Sequence, residues 1–221
     1  MDWMALSLSL KLAACTALIL APVGVLLGRA LAWRRFPGKS FAEALLALPL
    51  VLPPTVLGYY LLTAMSAQSP LGRLHESLVG GSLVFTFPGL VAASIIANLP
   101  FAIQPMQRAF QAISPDVRDA ATCCGMRAWS VFRRIELPLA WPGIVSALVL
   151  TFAHTLGEFG VVLMVGGNIP GETRTVSIAI YDRVQAFDDH GAGMMAAILL
   201  ALSLTAIMAV YMTTASRDVR R

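Results

Sequence analysis

SPDVRDAATCCGMRAWSVFRRIELP, residues 114–138, is a polar-rich interruption between long apolar runs, and it carries helical periodicity of its own. Ser114-Pro115-Asp116 supplies a serine cap, a proline in the first turn and an acid at the positive end of the helix dipole. Val117, Ala120, Ala121 and Cys124 follow at i, i+3, i+4 and i+7, which makes one apolar face. Gly125 stands where a left-handed cap ends a helix. Ala128, Val131, Phe132 and Ile135 repeat the spacing, and Leu137-Pro138 is expected to end this second helix. Two short amphipathic helices between apolar runs need something to cover their apolar faces. The cover is either the chain's own helix ends or a groove on a soluble partner, and periodicity does not choose between them.

Outward from this stretch the chain is strongly apolar. Of 221 residues, 57% are hydrophobic and only 13% charged. Soluble domains carry about 25% charged residues. The chain reads as an integral membrane protein with little mass outside the bilayer. Its net charge of +4 points to membrane topology and not to nucleic acid. Cys15, Cys123 and Cys124 have no metal-ligand spacing and are expected as free thiols. No cofactor or metal site is expected.

Five spans are expected, at about residues 4–27, 41–65, 82–103, 141–165 and 194–214, in one domain. The first lacks a basic n-region and is followed by Arg29, Arg34, Arg35 and Lys39, so it reads as an uncleaved span. Lys11 lies within it and can snorkel to the outer interface. Gly24 and Gly28 form a GxxxG, read as close helix packing or as a dimer face. Gly38-Lys39-Ser40 resembles the end of a phosphate-binding loop, but Trp33 stands where its first glycine belongs. An ATP-driven mechanism therefore needs another subunit. The second span contains Pro49, Pro53 and Pro54. It reads either as a kinked span or as a broken helix lining a transport path. The fourth carries His154 and Glu158, four residues apart on one face. They are either a packing pair or an element of a pathway.

Counting basic residues sets the expected orientation. Arg29, Arg34, Arg35, Lys39, Arg108, Arg118, Arg127, Arg133, Arg134, Arg217, Arg220 and Arg221 fall on one side, twelve in all, against Arg73, Arg174 and Arg183 on the other. The bias puts the 108–140 loop and the C-terminus in the cytoplasm and the N-terminus outside.

Asp119-Ala120-Ala121, then Gly125, then Ile135-x-Leu137-Pro138 resembles the EAA loop of ABC-importer permeases, with Asp119 in place of the glutamate. The replacement keeps the charge and shortens the reach by one methylene. The LPLVLPPTVLGYY stretch at 48–60, TFAHTLGEFG at 151–160 and NIPGETRT at 168–175 resemble the molybdate permeases of that class. Such permeases often carry arginine where this chain has His154. The resemblance implies an all-α, five-span, type I importer fold with a cytoplasmic coupling helix between spans 3 and 4. It implies a homodimer in the bacterial plasma membrane, with two cytoplasmic ABC ATPases and an extracytoplasmic molybdate-binding protein. Asp119, Ala120, Ala121, Gly125, Ile135, Leu137 and Pro138 would dock the ATPase. Pro53, Pro54, His154 and Glu158 are the pathway or packing candidates. A sulfate/thiosulfate-type permease, an ion-coupled secondary transporter and a membrane scaffold stay open beside it.

Overall fold

A computed structural model describes residues 2–218, with side chains to residue 208. Of the basic tail, Arg220 and Arg221 lie outside the described residues. The described chain is helical, without a strand: α1 (Trp3–Trp33), α2 (Lys39–Val51), α3 (Pro54–Met65), α4 (Pro70–Val79), α5 (Phe87–Gln111), α6 (Pro115–Cys123), α7 (Ala128–Val131), a π-helical turn (Phe132–Glu136), α8 (Leu137–Gly157), α9 (Gly160–Gly166), α10 (Val176–Gln185) and α11 (Asp189–Asp218).

Four helical segments are long and apolar enough to cross a bilayer: α1, α5, α11 and the run Ala128–Gly157. The pair α2 and α3 is long and apolar enough only together, and it turns through 111°, as a broken span or a re-entrant loop does. The sequence explains the break. Proline drives the preceding residue into extended backbone, and Leu52 and Pro53 have ψ of 138° and 135°. Pro54 then opens α3 at a position where no amide donor is needed. The helix expected over residues 41–65 is thus broken and not merely kinked.

α1 packs along α5 and α8. Gly24 and Gly28 are the reason that it can lie so close to α5. A Cβ added at Gly24 would stand 2.7 Å from Met106 Sδ, and one at Gly28 would stand 3.0 Å from the Gln107 amide nitrogen. The GxxxG is therefore a packing surface within the chain. Beside it Met106, Phe110, Ile144 and Ala147 form a sealed core. A second core joins α3, α5 and α9 through Leu57, Leu61, Ala97, Val161 and Val165.

Three sequence-based boundaries need correction. The third span begins at Phe87, where Thr86 caps the helix, and runs to Gln111, past the expected end at 103. Leu137-Pro138 does not end the second loop helix. The Leu137 amide bonds the Phe132 carbonyl five residues back, and the widened turn accommodates the proline ring, so the chain passes directly into α8. The fourth span, expected unbroken over 141–165, breaks at Glu158-Phe159 into α8 and α9.

Candidate functional site

Two polar sites stand out, one at each end of α8. The first is built around α6. The Ser114 hydroxyl accepts from the Asp116 amide at 3.3 Å. At the other end Gly125 has φ +76°. Its amide donates to Thr122 O at 2.9 Å, and the Met126 amide donates to Ala121 O at 3.1 Å. This is the double bond pattern of a Schellman cap, which the positive φ of glycine permits. Of the apolar face read from the sequence, only Ala121 is buried, while Val117, Ala120 and Cys124 are exposed together with Asp119, Gly125 and Trp129. The chain's own helix ends leave that face largely uncovered.

What fastens α6 to the spans is Glu136, a residue that the sequence did not single out. Its side chain is fully buried. It accepts from Arg29 Nε at 2.5 Å and from Arg118 Nε at 2.7 Å. Arg29 comes from α1, Arg118 from α6, and Glu136 from the π turn. The Arg118 guanidinium lies 4.1 Å from the Trp33 ring centre, and Arg29 lies 5.1 Å from that of Phe132. A carboxylate at zero exposure is tolerable only with such pairing. Ile135 and Leu137, on either side of it, are half-buried, and Pro138 is exposed. The docking candidates thus form two groups: one at α6, exposed except for Ala121, and one at the root of α8, half-buried except for Pro138.

The second site lies where the two helix breaks meet. Gly160 sits against Pro54, and a Cβ there would stand 2.7 Å from the proline Cβ. Beside this contact Asn98 is fully buried on α5. Its amide nitrogen donates to Ser94 O at 2.8 Å. Its oxygen is left as an acceptor, and His154 Nδ1 donates to it at 3.0 Å. The imidazole stacks on Phe101 at 3.9 Å between ring centres. Glu158 Oε2 lies 3.8 Å from the same His154 nitrogen, while Oε1 accepts from the Val161 amide at 3.3 Å and so caps α9. A cavity of about 150 Å³ lies between Leu50, Leu57, Phe101, His154 and Glu158. A wider one of about 470 Å³ lies between Pro54, Thr55, His154, Glu158 and Gly160. His154 and Glu158 border both cavities, as does Pro54; Pro53 makes the break.

The structure therefore brings Pro54, His154 and Glu158 to one place and adds Asn98 and Phe101. A lone buried amide in a span was the available signal for Asn98. For Glu136 the signal was weaker: one acid between a basic pair and an apolar run. Its partners, Arg29 and Arg118, are distant in sequence. Lys11 is exposed and lines a cavity with Thr86 and Glu172. The three cysteines are free, Cys123 and Cys124 on the surface.

Residues 21–221 match the binding-protein-dependent transport system inner membrane components, and the chain belongs to that family. It is a multi-pass membrane subunit of the ABC-importer permease class. Within that class it is 45% identical, over 95% of its length and 93% of the relative's, to the molybdenum transport system permease protein ModB of Azotobacter vinelandii. A probable sulfate transport system permease protein cysT of Chlorella vulgaris is 31% identical over 91% of this chain and 75% of that one. A solved bacterial alginate ABC transporter, in complex with an alginate pentasaccharide-bound periplasmic protein, has a chain that superposes with TM-score 0.75. The match covers 94% of this chain and 76% of that one at 18% identity, a likeness of fold.

Proposed function

We propose that this chain is the membrane-spanning subunit of an ATP-driven importer that carries molybdate into the cytoplasm by alternating access. The 45% identity to a molybdenum permease over 95% of the chain carries this reading. Two copies would form the path at a two-fold axis. Two cytoplasmic ABC ATPases would take α6 in their clefts, and an extracytoplasmic binding protein would deliver the anion. The twelve-to-three distribution of basic residues supports a cytoplasmic α6 and C-terminus and an external N-terminus. The exposed side of α6 supports docking, because Asp119, Ala120, Val117 and Gly125 face outward from a helix held rigidly at both ends.

Closure of the ATPases would pull α6. Arg118 would carry the pull to Glu136, and so to α1 and α8. The path would open and close near Pro54, His154 and Glu158, where two broken helices meet beside cavities. A carboxylate repels an anion, so Glu158 acts by holding His154 and α9 in place. Of the polar groups here His154, which borders both cavities, is the one placed to meet a passing oxyanion, and buried Asn98 holds it in position.

Tracer molybdate uptake in cells lacking the chain, with and without its re-expression, tests the assignment. Restored uptake blocked by tungstate and not by sulfate is expected. Equal block by sulfate moves the chain to the sulfate-type permeases, the reading that the cysT likeness favours. Uptake in vesicles without ATP moves it to the secondary transporters.

A further inference from the structure

A cavity of about 440 Å³ opens where α1 ends against α6, lined by Leu26, Arg29, Ala30, Trp33, Arg34 and Arg118. Three of the six residues are arginines, and no carboxylate lines it. Glu136 lies behind Arg29 and Arg118 and offsets one of the three charges. Arg34 forms no ion pair among the described residues. Two positive charges are thus left at the mouth of one pocket.

The other wall is apolar. Leu26 is 63% exposed, and Ala30 and Trp33 continue its strip. The Trp33 indole N–H is buried and has no partner among the described residues. In depth, the pocket spans the last two turns of α1. There the apolar run gives way to Arg29, Arg34 and Arg35, and an indole marks the interface. A solvated arginine face would need no apolar wall, and neither would a site for a free ion.

We infer that this pocket binds a tetrahedral oxyanion carried on a lipid: the phosphate of an anionic phospholipid, with an acyl chain along Leu26 and Ala30. Guanidinium pairs suit phosphate oxygens through their forked donors. Basic pockets at helix ends at headgroup depth are the setting in which anionic lipids bind. The phosphate would share Arg29 and Arg118 with Glu136, so a bound lipid becomes part of the joint that holds α6. The site needs no assumption about which side of the membrane it faces.

The test uses the chain purified with its partner subunits. Delipidated complex is incubated with phosphatidylglycerol or phosphatidylcholine, and retained lipid is read by native mass spectrometry. Wild type should keep phosphatidylglycerol and not phosphatidylcholine. Arg34→Ala, an exposed change away from Glu136, should lower retention about fivefold, the worth of one basic residue against an anionic headgroup. Arg34→Lys should restore most of it. Equal retention by wild type and Arg34→Ala, or equal retention of the two lipids, overturns the proposal. Labelled inorganic phosphate distinguishes the source. If it binds, is lost in Arg34→Ala and no phosphatidylglycerol is kept, the oxyanion chemistry stands and the lipid does not.

Discussion

Glu136 and Glu158 are both buried carboxylates at the two ends of one helix, and their surroundings differ in kind. Glu136 is closed off at zero exposure and held by two guanidiniums, both permanently charged. Glu158 faces one imidazole at 3.8 Å, uses its other oxygen to cap a seven-residue helix, and borders two cavities. Full pairing with fixed charges makes a joint. Partial pairing with a titratable ring, beside open volume, makes a place whose contacts can be exchanged.

The sharpest way to break the contrast is Glu136→Ala. It leaves two guanidiniums without their carboxylate, and removing one partner of a buried pair costs about 3–5 kcal/mol. The 30% exposure of both arginines brings the expectation to the lower end of that range. A marked drop in the unfolding temperature of the detergent-solubilised protein is expected, and an unchanged one would mean that Glu136 holds nothing together. Next comes Gly125→Pro. Proline is fixed at φ of about −65° and cannot donate to Thr122 O, so the cap opens while the spans stay intact. Membrane insertion should be normal, ATP hydrolysis should persist, and molybdate uptake should fall to background. Coupled uptake at the wild-type rate would remove α6 from the docking role.

At the other carboxylate, His154→Phe keeps the ring stack on Phe101 and leaves the Asn98 oxygen without its donor, a loss of about 1–3 kcal/mol. If the site meets the substrate, transport should fall by more than the change in thermal stability accounts for. Parallel losses would make His154 a packing residue. The smallest effect belongs to Asp188, outside the spans. The Gly191 amide and Arg183 hold its carboxyl below the ordinary value of 3.8. A carboxyl lowered by folding stabilises the protein above its unfolded value, and that contribution fades as pH falls through the folded one. Stability of the α11 start should therefore weaken only below about pH 3.8, and Asp188→Asn should remove that dependence. Thermal unfolding across pH 3 to 6 measures both.

Features written in local sequence were legible. The caps of α6 are a serine and a glycine at fixed offsets, and the break in the second span is a pair of prolines. Three things were not. The π turn escaped because a proline inside a helical run looks like a stop unless the hydrogen-bond register around it is known. The break at Glu158 escaped because an acid beside glycines reads as a polar group within a continuous span as readily as a break, and no proline stands there to decide it. The Glu136 cluster joins residues 107 and 18 positions apart, and no periodicity reports a contact of that range. The group of docking candidates at the root of α8 was therefore visible only as a motif, without the charge that anchors it.

Helical residues run without a stop from Glu136 through His154. The eighteen residue steps from one to the other span roughly 27 Å at about 1.5 Å per residue. Such a rod is a lever with its fulcrum at the arginine-clamped end. A tilt of about 10° there sweeps the imidazole sideways by roughly 5 Å on that arm. This exceeds the 3.0 Å between His154 and the Asn98 oxygen on α5. Small rotations at one face of the membrane are thus enough to remake the contacts of the ring with α5 in its interior.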